Sequence, residues 1–159
     1  MADNDSQQAD EFETPTPEQI VAFTGQHIEM LEGSNDDSVW ILAGMPHVLI
    51  TQKGRTSGAV RKTPLPYWRD PNGHRVVVGS FAGAVNHPAW FHNLADTSAN
   101  PTIRVQDQAT IYDCVVDILD GDDYTATWAA LTADRPFYAD YQANTERQIP
   151  LIRLPEPTS

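Results

Sequence analysis

Apolar and polar positions change period along this chain. Between Thr16 and Gly33, Ile20, Phe23, Ile28 and Leu31, with Val21 and His27 beside them, recur at helical spacing. Thr16 suits the cap of that helix, Pro17 its first turn, and Gln19 the return position of a capping box. This helix is expected to pack on the outside of the core. From Val39 onward, short β-branched runs replace the helical period. Val39 to Ala43 and His47 to Gln52 read as two strands, and Val60 to Arg69 as a third. Pro64 and Pro66 have no amide hydrogen to donate, so the third strand is expected at a sheet edge or with a bulge.

Asp70-Pro71-Asn72-Gly73 is a strong turn signal, and it leads into a buried strand from Arg75 to Ser80. Gly79 to Asn86 is small and flexible; Pro88 then opens a short helix, Ala89 to Ala95, capped by Asn86 or His87. Thr102 to Gln106 and Thr110 to Leu119 form a hairpin about Asp107-Gln108. A helix starting in Asp120 to Asp123 carries Tyr124, Trp128 and Leu131. An aromatic segment, Pro136 to Tyr141, precedes a last strand, Ile149 to Leu154. Hairpin-linked strands with helices at the ends and in one crossover predict a mainly β fold, an antiparallel barrel with helical additions. The pattern divides the chain into a disordered acidic tail, residues 1–15, and a single domain over residues 16–159.

Composition narrows the function classes. The formal net charge is −12, which disfavours nucleic acid and anionic lipid as partners. No apolar run approaches the roughly 20 residues that span a bilayer, and the opening residues are acidic rather than basic and apolar, so a cytoplasmic protein is expected. The lone Cys114 has no disulfide partner in the chain. His27, His47, His74, His87 and His92 share no spacing that would converge on a metal, and no metal site is expected.

Against this acidic background, Lys53, Arg55, Arg61 and Lys62 crowd about Gly54-Arg55-Thr56-Ser57-Gly58. Two glycines let the backbone turn tightly and aim its amides at one point, and the hydroxyls of Thr56 and Ser57 add donors. That is an anion cradle or, on the plainer reading, a β-turn with solvated cations. A second candidate is the junction from Ser80 to Asn93, where a strand ends in a small-residue loop and a helix begins with Trp90 and Phe91. Taken alone, Trp90 is more readily a core anchor and Asn93 a surface residue.

Together these segments resemble the deazaflavin-dependent nitroreductase family. The resemblance rests on Thr51 to Gly58, Arg61 to Leu65, Val77 to Ser80, His87 to Leu94, Tyr138 to Gln142 and Arg147 to Pro150, in order and at matching spacing from about residue 47 to 155. It implies a split β-barrel, similar to that of pyridoxamine-phosphate oxidases, and the cofactor coenzyme F420. By position, Arg55, Thr56, Ser57 and Arg61 would face the cofactor's phosphate and oligoglutamate tail. Thr63, Pro64 and Leu65 would lie along the deazaflavin, with Val78, Gly79 and Ser80 on the neighbouring strand. Ala89, Trp90 and Asn93 would close the groove.

The implied activity is hydride transfer from reduced F420 to an electron-poor small molecule: an enone, a quinone or a nitroaromatic. Tyr138, Tyr141 or Ser80 would donate to the developing negative charge. The chain departs from the family pattern in three places. Thr56 stands where lysine is usual, Phe81-Ala82-Gly83 where Lys-Gly-Gly is common, and Arg135 where tyrosine is usual. The first two departures remove positive charge near the tail, which keeps an FMN-dependent oxidoreductase of the same barrel as an alternative. A non-catalytic cofactor carrier is a second alternative, and a monomer and a homodimer are both compatible with the resemblance.

Overall fold

The computed structural model describes residues 17–157. The tail, Thr16 and the side chains of Ile20, Val21 and Phe23 lie outside the described residues. In chain order the elements are helix α1 (Pro17–Gly33), α2 (Asp37–Trp40), strands β1 (Ile41–Leu42), β2 (Met45–Lys53), β3 (Val60–Arg69) and β4 (Arg75–Val78), and a 3-10 turn (Phe81–Gly83). Then come α3 (Ala89–Ala95), β5 (Ile103–Asp107), β6 (Thr110–Cys114), β7 (Asp117–Ile118), α4 (Gly121–Asp134), α5 (Phe137–Ala143) and β8 (Leu151–Leu154). The strands form one antiparallel sheet in the order β6-β5-β2-β3-β4-β8-β7, with β1 paired to the start of β2.

Only Val115 and Val116 separate β6 from β7, yet these strands are the two ends of the sheet order. A sheet whose ends are joined so tightly has to curl until they meet. Side chains bridge the remaining gap. Tyr112 Oη on β6 donates to the Leu154 carbonyl on β8 at 2.9 Å. Arg75 Nε on β4 donates to Asp107 Oδ2 on β5 at 3.0 Å, and Tyr67 Oη donates to the same oxygen at 2.7 Å. The result is an antiparallel split barrel, as expected.

Alternation along the strands fills the barrel. Val48, Ile50, Tyr67, Val77, Ile103, Val105 and Ile152 form the interior core with Leu94 of α3. Each fully buried aliphatic group of this kind contributes about 1.5–3 kcal/mol. On the outer face, Trp68, Val76 and Leu151 pack under α4 and α5 against Tyr124, Leu131 and Tyr138. Leu31 of α1 and Trp40 cover Leu49, which places α1 outside the barrel as its pattern implies.

Three expectations change. Val39 and Trp40 belong to α2 rather than to a strand, because Asp36 Oδ1 accepts the Ser38 amide at 2.8 Å and caps a helical turn; Ile41–Leu42 alone is extended before the Ala43-Gly44 turn. The long strand from Thr110 to Leu119 breaks at Val115-Val116 into β6 and β7, since its halves serve opposite ends of the sheet. Neither Asn86 nor His87 caps α3; Pro88 itself holds the cap position with extended backbone. The prolines of β3 occupy a local edge. β3 lies inside the sheet order, but β4 pairs with it only over Tyr67–Arg69, so the stretch through Pro64 and Pro66 is paired to β2 alone.

Candidate functional site

A cleft of about 590 Å³ opens where β2 ends and β3 begins. Arg55, Thr56, Ser57, Arg61, Thr63, Ala89, Trp90 and Asn93 all line it, so residues from the β2–β3 turn, β3 and α3 converge on one space. Gln52, Lys62 and Phe81 complete its walls, and Thr24 closes it from α1. The register explains the convergence. Gln52 is opposite Arg61 and Ile50 is opposite Thr63, so side chains two apart on each strand share the face that looks into the cleft.

The turn is held from behind by two asparagines. Asn100 is buried; its Oδ1 accepts the Lys53 amide at 2.7 Å, and its Nδ2 donates to the Lys53 and Asn93 carbonyls at 2.8 Å each. Asn93 Oδ1 accepts from the Arg55 amide at 3.1 Å and from Arg55 Nη1 at 2.9 Å. These bonds tie the end of β2 to α3 and fix the direction in which Arg55 leaves the backbone. Asn93 therefore serves the cleft by orienting a cation as well as by lining it.

The cradle is narrower than the glycine pattern implies. Gly54 N donates to Ala59 O and Gly58 N to Gly54 O, both at 2.8 Å, and Ala59 N donates to Ser57 Oγ at 3.1 Å. Arg55 N is held by Asn93. The Thr56 and Ser57 amides remain without a protein acceptor among the described residues. Lys62 pairs with Glu32 of α1, whereas Arg61 has no carboxylate partner among the described residues. Among the described residues, the donors left over at this end of the cleft are therefore the Arg61 guanidinium and the two amides at the tip of the turn, with Arg55 beside them. Trp90 offers a flat apolar surface beside them.

Other expected residues stand outside the cleft lining. Pro64 continues the locally unpaired stretch of β3, while Leu65 packs against the interior core and Val78 against the outer core. Gly79 is pressed against Pro150: its amide donates to Pro150 O at 2.9 Å, and a Cβ there would approach Pro150 Cγ to 2.6 Å. Ser80 begins the turn that carries Phe81. Tyr138 is buried in the outer core, with Tyr141 half-buried beside it at 6.1 Å between ring centres. Burial raises the Tyr138 hydroxyl above its ordinary pKa, while the nearby Arg135 guanidinium pulls it back. It is a hydrogen-bond donor at physiological pH, not a base.

The expected site set lacks the lining residues Thr24, Gln52, Lys62 and Phe81, and it lacks Arg147 behind the loop after β4. Gln52 is almost wholly buried on the cleft face, and the period-two pattern of β2 through Ile50 would have placed it there. Arg147 donates from Nε to Ala84 O at 2.8 Å, from Nη1 to Gly79 O at 3.0 Å and from Nη2 to Ser80 O at 2.7 Å. Its Nη1 also meets His87 Nδ1 at 2.9 Å. It lies in the Arg147–Pro150 segment, but only the folded chain brings it to the loop after β4.

Fold and site together define a split barrel with a cationic, aromatic-walled cleft at one end of its strands. The F420H(2)-dependent quinone reductase family matches residues 24–156, and the chain belongs to that family. This is a family of oxidoreductase enzymes whose cofactor is coenzyme F420. An F420H(2)-dependent quinone reductase of Mycobacterium tuberculosis is 28% identical over 112 residues, covering 69% of this chain and 72% of the relative. A second, putative F420H(2)-dependent quinone reductase from that organism is 31% identical over 115 residues, covering 69% of this chain and 89% of the relative. A solved F420-H2 dependent reductase, FDR-A, superposes with a TM-score of 0.58 at 35% identity, covering 69% of this chain and 94% of its own. A solved domain-swapped dimer superposes with a TM-score of 0.61 at 33% identity, covering 88% of this chain and all of its own. Among the described residues no helix is long and apolar enough to cross a membrane.

Proposed function

We propose that this protein reduces a quinone with coenzyme F420 held in the cleft between the β2–β3 turn, β3 and α3. The observation that carries the reading is the convergence of Arg55, Thr56, Ser57, Arg61, Thr63, Ala89, Trp90 and Asn93 on one space, cationic at one end and aromatic along one wall. That donor set fits the group. Arg61, Arg55 and the amides of Thr56 and Ser57 meet a phosphate and its anionic tail, and Trp90 meets a flat ring. The locally unpaired stretch at Thr63, Pro64 and Leu65 leaves backbone free for the ring edge, with Val78 at the end of β4 and Gly79 and Ser80 just beyond it. Reduced F420 supplies a hydride.

The chain's part is to hold the acceptor at near-attack distance and to provide donors where negative charge develops on the acceptor oxygen. The donors expected for that charge are Tyr138, Tyr141 and Ser80: the two tyrosines pack together in the outer cluster, and Ser80 opens the turn that carries Phe81 to the cleft wall. Quinones head the acceptor classes because the matched family and its M. tuberculosis relatives carry that name; enones and nitroaromatics belong in the same assay. The domain-swapped relative makes a homodimer the arrangement to test first by sedimentation.

The test is fluorescence titration with F420 and, separately, FMN at two salt concentrations, followed by turnover of reduced F420 with a naphthoquinone. F420 should bind more weakly at high salt, and Arg61→Ala should raise Kd roughly fivefold, the worth of one exposed ion contact of about 1 kcal/mol. F420 binding without turnover of any acceptor would make the protein a carrier, and binding of neither cofactor would remove the reading altogether.

A further inference from the structure

We propose that Arg147 is the positioning residue of the cleft: bonded to the loop after β4 and to a neutral His87, it holds the Phe81 wall in place, and its hold weakens when His87 is protonated. The inference rests on the reading of the cleft as the cofactor site, and it starts from backbone geometry.

Phe81, Ala82 and Gly83 have φ values of 44°, 53° and 78°, three left-handed residues in succession. Glycine adopts that region freely, but a bulky side chain such as that of Phe81 is a genuine outlier there. The loop's own bonds, Gly83 N to Ser80 O at 2.8 Å and Ala84 N to Phe81 O at 3.0 Å, close a turn of this shape but do not relieve the crowding at two Cβ atoms. Local sequence therefore does not select the conformation. Something outside the loop has to impose it.

Arg147 is placed to do so. Its three carbonyl acceptors, Gly79, Ser80 and Ala84, bracket the strained residues on both sides, and the rigid guanidinium plane fixes their spacing. Among the described residues no carboxylate pairs with Arg147, so its charge faces loop carbonyls and His87. α5 bears on the same loop as well: a Cβ on Gly83 would come within 2.7 Å of Tyr141 O. The loop is thus held by the guanidinium and by the helix that carries Tyr138 and Tyr141, with the half-exposed Phe81 directed to the cleft.

His87 supplies the weakening. Because Nδ1 meets a guanidinium N–H, it acts as an acceptor; the ring proton is then on Nε2 and the imidazole is neutral. The groups facing it are Arg147, from the segment before β8, and His92 and Phe91 of α3, with ring centres at 5.6 and 4.9 Å. None of them is an anion. Protonation would remove the acceptor and set a second cation against Arg147. Burial, then Arg147 and His92, already push the His87 pKa below its ordinary value, so the bonded state is the one present at neutral pH.

The experiment compares wild type, Arg147→Lys and His87→Gln. Amide hydrogen exchange of the ligand-free protein and F420 titration are measured at about pH 7.5 and at a lower pH, below the ordinary histidine range, at which the NMR shift of the His87 ring shows it protonated. Lysine keeps the charge but cannot span three carbonyls. Arg147→Lys should therefore speed exchange at Gly83 and Ala84, relative to β2, and raise the F420 Kd, each on the order of tenfold. Wild type should show the same two changes at the lower pH after correction for intrinsic exchange. His87→Gln should not, because the glutamine oxygen accepts without titrating. Unchanged exchange in Arg147→Lys would overturn the proposal, as would a freed loop with unchanged F420 affinity. Failure of wild type to bind F420 would instead sink the cofactor reading, and the exchange arms would still decide whether Arg147 and His87 hold the loop.

Discussion

Replacing Asp107 by alanine tests how the barrel is closed. Asp107 Oδ2 accepts from Arg75 Nε at 3.0 Å and from Tyr67 Oη at 2.7 Å, and the Arg75 and Asp107 side chains are only 6% and 10% exposed. Burial opposes the charge on Arg75, yet Asp107, Tyr112 and Glu156 hold the guanidinium more firmly protonated than usual. Breaking a buried pair by removing one partner costs about 3–5 kcal/mol. Arg75 would keep the exposed Glu156 at 3.1 Å and a long contact to Tyr112 at 3.4 Å, so the lower end, about 3 kcal/mol, applies. The stranded Tyr67 hydroxyl adds about 1 kcal/mol. A total near 4 kcal/mol corresponds to a fall in Tm of roughly 8–16 °C for a domain of this size. Urea denaturation gives the loss from the midpoint and slope, and Asp107→Asn, which keeps an acceptor for Tyr67, should recover about 1 kcal/mol. F420 affinity should change less than about twofold, because Asp107 follows Gln106, the partner of Leu49, and so lies toward the end of β2 remote from the cleft. A stability loss below about 1 kcal/mol would show that this network does not close the barrel.

Gly79→Ala should destabilise by about 1–3 kcal/mol in the same denaturation assay, because the new methyl would meet the Pro150 ring, which is fixed to its own backbone. His27, His47 and His87 are all held below the ordinary histidine pKa, chiefly by burial. The unfolded chain therefore takes up protons first, and stability complete above about pH 6.5 should fall as the pH drops from there toward the folded-state values; a midpoint that rises on acidification would contradict this. Cys114 is buried, and its thiol is pushed up to about 11 by desolvation and by Asp113. Its reaction with a thiol reagent at about pH 8 should be on the order of 100-fold slower than that of an exposed cysteine, and comparable rates would mean the barrel opens readily.

Local chemistry made parts of this molecule readable before folding. Pro88 and the apolar positions after it mark α3 over Ala89–Ala95, and Asp70-Pro71-Asn72-Gly73 becomes the expected turn, with Gly73 at φ 87° and Asp70 Oδ1 accepting the Asn72 and His74 amides at 2.9 Å. The concentration of cations around Gly54 marked one end of the cleft. What pattern could not supply was the occupancy of each group. The Gly54, Gly58 and Ala59 amides are taken up within the turn itself, and the partner of the Arg55 amide becomes apparent only when Asn93 arrives. Lys62 is claimed by Glu32, thirty residues earlier in the chain. Val39 to Ala43 has strand composition, yet Asp36 outside that window decides its form. Arg147 is the extreme case, since its three carbonyl acceptors lie more than sixty residues away.

The unpaired stretch of β3 has a consequence for the protein's behaviour in a crowded solution. A strand with one side bare is a template on which another chain can build, and such strips are where proteins aggregate. Backbone groups point alternately to the two sides of a strand, so prolines two residues apart strip hydrogen-bond donors from one side only. Pro64 and Pro66 have that spacing, and the register with β2 runs through both without interruption, which leaves the bare side as the one without donors. An incoming strand would find carbonyls there but few amides to complete a ladder. The barrel can keep a strand open for a small flat molecule because the same two residues make that opening unsuitable for another polypeptide.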